Sequence, residues 1–211
     1  VQSRVMMNYM GLAAAWGGAV GVGSSVVELD DKFKNFQAIA GSTSYEMVGL
    51  REKLISVSEA TKFTATEIVD ASVLMAQAGM SASQVGETLE SVAKLATASG
   101  SDLASSVDIV TSTMTAFNLQ MEQAPQLANT FTAALNESKL TLQQLTLGVQ
   151  YAGNTASSLG ITYQELIAHL GALANAGIRS GSTQGTGLRA LLIDLQSPSD
   201  KLMNTLTPLG L

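Results

Sequence analysis

The feature that most constrains this chain is a regular alternation of helix starts and helix stops. Capping-box spacing lets a Ser/Thr side chain and a Glu/Gln three residues on each satisfy a backbone N–H of the first turn. It occurs at Thr64/Glu67, Ser81/Gln84, Thr141/Gln144 and Thr162/Glu165. Gly79, Gly100, Asn118, Gly160 and Gly177 each follow an apolar-periodic run, where a left-handed residue closes a helix. Between these marks the pattern predicts helices at 44–60, 64–78, 82–99, 102–117, 122–136, 141–159, 162–176 and 187–196. Loops of two to five residues join them, so neighbours are expected to pack antiparallel.

The apolar faces follow the helical period. Met47, Leu50, Leu54 and Val57 form one stripe. Leu103, Val107, Val110, Met114 and Phe117 form a second, and Leu145, Val149, Ala152, Ala156 and Leu159 a third. These are core faces. Two of them keep a heptad for about two repeats, short of the three or four that mark a coiled coil. Helix 64–78 is apolar nearly all round (Ile68, Val69, Val73, Leu74, Met75) and is expected to be central. No period-two run of aromatic and β-branched residues bounded by turns is present. The fold class is therefore all-α: a multi-helix bundle or irregular array of about eight short helices, preceded by a glycine-rich apolar segment.

That segment, VMMNYMGLAAAWGGAVGVGSSVV at 5–27, holds no charge between Arg4 and Glu28. As a helix it is long enough to span a hydrocarbon core of ~30 Å. Ala13, Gly17, Gly21 and Ser25 form a small-residue ladder at helical spacing, which lets two helices approach closely. Four readings stay open for it: a buried glycine-rich helix, a flexible lead-in, a membrane-active segment and a processed signal. The expected organisation is 1–29 as this segment and 30–211 as a helical domain. The first residue is Val1 and the last phrase is LGL in mid-pattern, so a fragment of a longer chain is expected.

Composition narrows the chemistry. Cysteine is absent, which removes disulfides, thiolate metal sites and a thiol nucleophile. One histidine, His169, cannot build an all-histidine metal cage or a His–His acid/base pair. A net charge of −6 argues against binding nucleic acid by phosphate neutralisation, and no sequence-specific nucleic-acid contact is expected. Charged residues are 13% of the chain, about half the usual ~25%. The polar but uncharged surface that results suits a protein enclosed by partners.

Candidate reactive groups are few. Asp30 and Asp31 form an acidic pair beside Lys32, read as a solvated helix start because acidic side chains favour the first turn. His169 sits in mid-helix among Leu166, Leu170 and Leu173, read as structural. GIRSGSTQGTGLR at 177–189 is read as a mobile loop bracketed by Arg179 and Arg189. Its glycines and hydroxyls suggest an anion cradle, but it lacks a P-loop ending and a preceding strand. No catalytic residue, metal ligand or cofactor site is assigned.

Taken in order, the phrases resemble the conserved helical region of bacteriophage tail tape measure proteins, the phage minor tail protein family. They are FKNFQAIAG at 33–41, LISVSEATKFTATEIVDASVLMAQAGMSASQV at 54–85, LESVAKLATASGSDLASSVDIVTSTMTAFNL at 89–119, ANTFTAALNESKLTLQQL at 128–145 and GITYQELIAHLGALANAGIRSGSTQGTGLRALLIDLQSP at 160–198. The closing LGL at 209–211 completes the series. The resemblance implies a structural, non-enzymatic role: filling a tail lumen during assembly, setting tail length and leaving at infection, in some cases to help DNA cross the host envelope. The partners it implies are further copies of the chain, tube and tip proteins, assembly chaperones and, at infection, a host membrane. The location it implies is the virion, with the host cytoplasm during assembly.

Length limits which part of that role falls here. As one helix the chain would reach roughly 320 Å, but its stops divide it into short pieces that suit a bundle and not a ruler. Membrane action through 5–27 is the alternative. An enzyme, such as a cell-wall hydrolase, lacks the residues. A toxin- or receptor-like helical bundle is opposed only by the ordered phrases.

Overall fold

Thr43 opens a device that the rest of the chain repeats. Its backbone N–H donates to the Glu46 carboxylate at 2.7 Å, and the Glu46 N–H donates to the Thr43 hydroxyl at 3.3 Å. The same reciprocal bonds form at Thr64/Glu67, Thr141/Gln144 and Thr162/Glu165. Ser81/Gln84 closes at 2.8 and 3.4 Å. All four expected boxes are present, and Thr43/Glu46 adds one that the sequence reading passes over. Asp102 caps the next helix by accepting from the Ser105 N–H at 2.7 Å.

The computed structural model describes residues 22–197, with side chains from residue 28 onward. Among these residues nine α-helices follow in order: α1 Val22–Ala40, α2 Ser44–Ala60, α3 Ala65–Gln77, α4 Ala82–Ser99, α5 Leu103–Ala116, α6 Ala124–Glu137, α7 Leu142–Ser158, α8 Tyr163–Asn175 and α9 Gly181–Gln196. A single 3-10 turn, Met121–Gln123, precedes α6. Among the described residues there is no strand, and the all-α expectation is met.

The stops are as legible as the starts. Gly79, Gly100, Asn118, Gly160 and Gly177 all take positive φ, with Asn118 at 50° standing in for glycine. Four of these ends close with paired bonds of the Schellman type. In the first, the Gly79 N–H reaches the Ala76 carbonyl and the Met80 N–H reaches that of Met75. Leu119, Ile161 and Ile178 occupy the position of Met80 in the other three. Met80 is buried, so one residue both ends α3 and fills the core.

The described residues form two compact units, 22–97 with 102–107 and 98–101 with 108–197, so the division falls within α5. In the first, α3 packs against both α1 and α2. It is central there as expected, although Leu74 stays 38% exposed. Phe33, Phe36, Leu54, Ile68 and Met75 are buried. Lys32 of α1 donates to Asp70 of α3 at 2.6 Å, and the Arg51 guanidinium of α2 lies 4.5 Å over the Phe33 ring of α1. Exposed ion pairs contribute at most about 1 kcal/mol. Burying a side chain such as Phe36 contributes roughly 2–3 kcal/mol, so apolar packing decides this unit. In the second unit α7 packs on α8 and α9, and α6 on α8. Phe131, Leu127, Leu145 and Leu170 are fully buried, and Phe117 meets Tyr163 edge-on at 6.3 Å.

Three expectations are corrected. The helix prediction begins at residue 44, whereas α1 covers Val22–Ala40. Leu29, Phe33, Phe36 and Ala40 give it the helical period, with both phenylalanines buried. Consequently Asp30 and Asp31 lie in mid-helix and not at a helix start. The segment 177–189, expected as a mobile loop, is helical from Gly181 onward.

Candidate functional site

The tightest packing in the second unit gathers around Gly148 of α7. Opposite Gly148, Leu170 of α8 comes so close that a Cβ there would lie 2.6 Å from both of its methyl carbons. From the other side α9 brings Gly181 over Gln144, and Gly185 over Gly148 and Tyr151. A Cβ on Gly181 would stand 2.7 Å from the Cα and carbonyl oxygen of Gln144. One on Gly185 would stand 2.7 Å from Tyr151 Cβ and 3.0 Å from the Gly148 carbonyl oxygen. So α7 and α9 touch backbone to backbone through a Gly-x-x-x-Gly spacing, the small-residue arrangement that permits close crossing. The order of these contacts shows that the two helices run in the same direction.

Glycine disfavours a helix interior by about 1 kcal/mol relative to alanine, and for that reason 177–189 reads as a loop. Here the lost propensity is offset by packing and by two glutamines. Gln144 Nε2 donates to the Arg179 carbonyl, and Gln184 Nε2 donates to that of Ile178. Gln184 is 1% exposed, and its Oε1 has no partner among the described residues. Ser180 starts α9 by accepting from the Thr183 N–H at 3.3 Å. The turn before α9 is thereby latched from both helices. No Asp, Glu, His or Lys side chain is among the contacts of Gly148, Gly181 and Gly185, so the joint supplies shape and hydrogen bonds.

The residues singled out from the sequence are scattered and each is engaged locally. Asp30 pairs with Lys34 at 2.8 Å and with Arg51 at 3.6 Å, and Asp31 pairs with Lys34 at 3.3 Å. Bonds to both carboxylates push the Lys34 pKa up, with Asp30 the larger cause. These are helix-surface and inter-helix ties. His169 is exposed on α8, with Nδ1 2.7 Å from the Glu165 carbonyl oxygen. Arg179 lies in the turn before α9 and Arg189 within α9, both exposed. Of the ladder, Ser25 falls in α1, while Ala13, Gly17 and Gly21 lie outside the described residues. Among the described residues no cluster of His, Asp and Glu is placed to hold a metal, and no helix is long and apolar enough to cross a membrane. The transmembrane expectation therefore finds no support there. Sequence reasoning missed the Gly181/Gly185 joint, although its signal is the same small-residue spacing noticed at Ala13–Ser25.

Short capped helices, apolar cores and a glycine joint define a structural helical module. Comparison with known proteins carries this further. The family model for phage-related minor tail proteins matches residues 51–211, and the chain belongs to that family. A tape measure protein of Pneumococcus phage Dp-1 is 30% identical over 208 residues, covering 99% of this chain and 18% of that protein. A probable tape measure protein of Escherichia phage P2 is 27% identical over 185 residues, 87% of this chain and 23% of its own length. The chain thus spans about a fifth of the length of these relatives. No solved structure matches it. The role this supports is structural, in a phage tail.

Proposed function

We propose that this chain is the folded module of a tail tape measure protein, acting in tail assembly as an anchoring or docking piece and not as the ruler. The observation that carries it is the match over nearly the whole chain to a tape measure protein, together with helices of 19 residues or fewer among the described residues. A helix of that length reaches only about 28 Å. Measuring a tail needs long unbroken helix. A chain with only 13% charged residues supports close packing against tube or tip subunits and assembly chaperones.

The test is an in-frame deletion of residues 44–196 in a phage carrying the chain, with tails measured by electron microscopy. The expected result is failed or terminally defective tails of unchanged length. Tails shortened by roughly 230 Å, the helical reach of the deleted stretch, would show that the module measures.

A second reading concerns genome delivery. The uncharged run at 5–27 with its Ala13, Gly17, Gly21 and Ser25 ladder supports membrane action at infection. Removing 5–21 is expected to abolish leakage of dye from liposomes while circular dichroism of the helical units is kept. Undiminished leakage would end this reading.

A further inference from the structure

The helix ends recur at a fixed interval. Gly41 and Asn118, both at positive φ, stand 77 residues apart. The Thr43 N–H donates to Glu46 at 2.7 Å, and 77 residues on the Gln120 N–H donates to Gln123 at 2.9 Å. The capping boxes at Thr64 and Thr141 keep that interval. It widens to 81 at Gly79 and Gly160, because α7 has 17 residues where α3 has 13. It returns to 77 at Gly100 and Gly177, because α8 is shorter than α4. Self-similarity at a fixed period marks a repeat architecture. So α1–α4 and α5–α8 are two copies of one four-helix pattern, and α9 stands where a third copy begins.

Helices α1, α5 and α9 are therefore counterparts, and their burial differs in one place. Asp102 and Ser180, 78 residues apart, cap α5 and α9 by accepting from the Ser105 and Thr183 N–H groups. Counted from these caps, Leu103, Ser106 and Val107 of α5 match Gly181, Gln184 and Gly185 of α9, and all six are buried. Val107 is also the last residue of α5 that belongs to the first unit. Beyond it Val110, Thr113 and Met114 belong to the second unit and are buried. Phe33 and Phe36, which match Val110 and Thr113 in α1, are buried in the first. In α9 the matching Leu188 and Leu192 are only half-buried, and Leu191 is 53% exposed. Leu195, which matches Phe117, is 52% exposed. Helix α5 thus gives its first half to one unit and its second half to the next, whereas α9 has only the first half engaged.

We propose that the second half of α9 is the seat of a third unit, carried by the chain that follows residue 197 in a longer tail protein. The occupant is of the same kind as the cores built on α1 and α5: capped helices whose apolar faces close on Leu188, Leu191, Leu192 and Leu195. In repeat architectures a neighbouring repeat covers the face that one repeat alone leaves open. The relatives, of which this chain matches about a fifth, are long enough to hold further repeats. The proposal rests on membership of these longer proteins and not on the anchoring role, which the measurement of tail length tests separately.

Amide hydrogen exchange, read by mass spectrometry, tests this in the 211-residue chain and in the full tail protein that carries it. In the 211-residue chain, residues 188–196 are expected to exchange about tenfold faster than their counterparts 110–117, or more. In the tail protein they should slow by about tenfold or more, with 181–187 unchanged. Leu191→Asp combined with Leu195→Asp should leave the melting temperature of the 211-residue chain unchanged, since both side chains are exposed there. The same pair should remove the protection in the tail protein. Two variants of α5 test the division of that helix: Leu103→Ala should speed exchange in α1–α3 and Met114→Ala in α6–α8, each sparing the other set. Residues 188–196 that stay fast in the tail protein overturn the proposal. So does protection already complete in the 211-residue chain, or a tail protein in which no such repeat follows α9.

Discussion

At the scale of single residues, glycines of this chain fall into two kinds that composition does not separate. Gly181 and Gly185 stand against the backbone of α7 with no room for a methyl group, whereas Gly187 in the same helix has nothing within 4 Å of its would-be Cβ. Replacing each with alanine raises helix propensity by about 1 kcal/mol. At Gly187 that gain is the whole effect, so Gly187→Ala is expected to stabilise by about 0.5–1 kcal/mol. At Gly181 and Gly185 it is outweighed by overpacking of typically 1–3 kcal/mol, and these variants are expected to lose stability. Urea denaturation of the three variants checks the difference in sign. The opposite signs also mark what the sequence hides. Glycine in a helix is visible as a cost, but the neighbour that rewards it lies 37 residues away at Gln144 and is supplied only by tertiary packing.

At the scale of elements, helix ends are legible because their chemistry is local. A capping box needs two side chains three residues apart, and a Schellman end needs one left-handed residue followed by an apolar one. Both patterns lie in contiguous sequence, so the expected boxes at Thr64, Ser81, Thr141 and Thr162 and the five stops appear where expected. Helix α1 was less legible because its start lies in the glycine-rich run, where length and apolarity invite several readings. The caps come in two versions. Glu46, Glu67 and Glu165 cap with a carboxylate, whose pKa is held below the usual 4.5 chiefly by the backbone N–H of Thr43, Thr64 and Thr162. Gln84 and Gln144 do the same work without charge. A pKa lower in the folded than in the unfolded chain contributes stability above the unfolded value and loses it as pH falls through the folded one. Melting temperature is therefore expected to drop as pH is lowered below about 4.5. The triple variant Glu46→Gln, Glu67→Gln, Glu165→Gln should flatten that drop in a thermal scan, since glutamine keeps the bond and discards the titration.

At the scale of the whole molecule, two cores organise the described residues, each with a large buried aromatic. Phe36 is fully buried in the first unit and Phe131 in the second. Truncating such a ring leaves a cavity worth about 3–5 kcal/mol. Phe131→Ala is expected to accelerate amide hydrogen exchange throughout α6–α9, and Phe36→Ala to do so in α1–α3, both read by mass spectrometry. Exchange unchanged in α8 of the Phe131→Ala chain would contradict the assignment of that core. Family membership was legible in ordered phrases, because short capped helices repeat their end signals in a fixed succession. The division of the chain within α5 was not, since a continuous helix carries no local mark of which core each turn belongs to.

The parallel course of α7 and α9 has a mechanical consequence. Pulled apart from the start of α7 and the end of α9, the two helices are loaded in shear, so the contacts at Gln144, Gly148 and Tyr151 must slip together and cannot unzip one by one. A slip of one turn is about 5.4 Å, and it carries Gly181 towards the place over Gly148 that Gly185 had filled. Glycines spaced one turn apart thus give the joint a second seat, and a chain under tension can yield by a step and hold again before it opens.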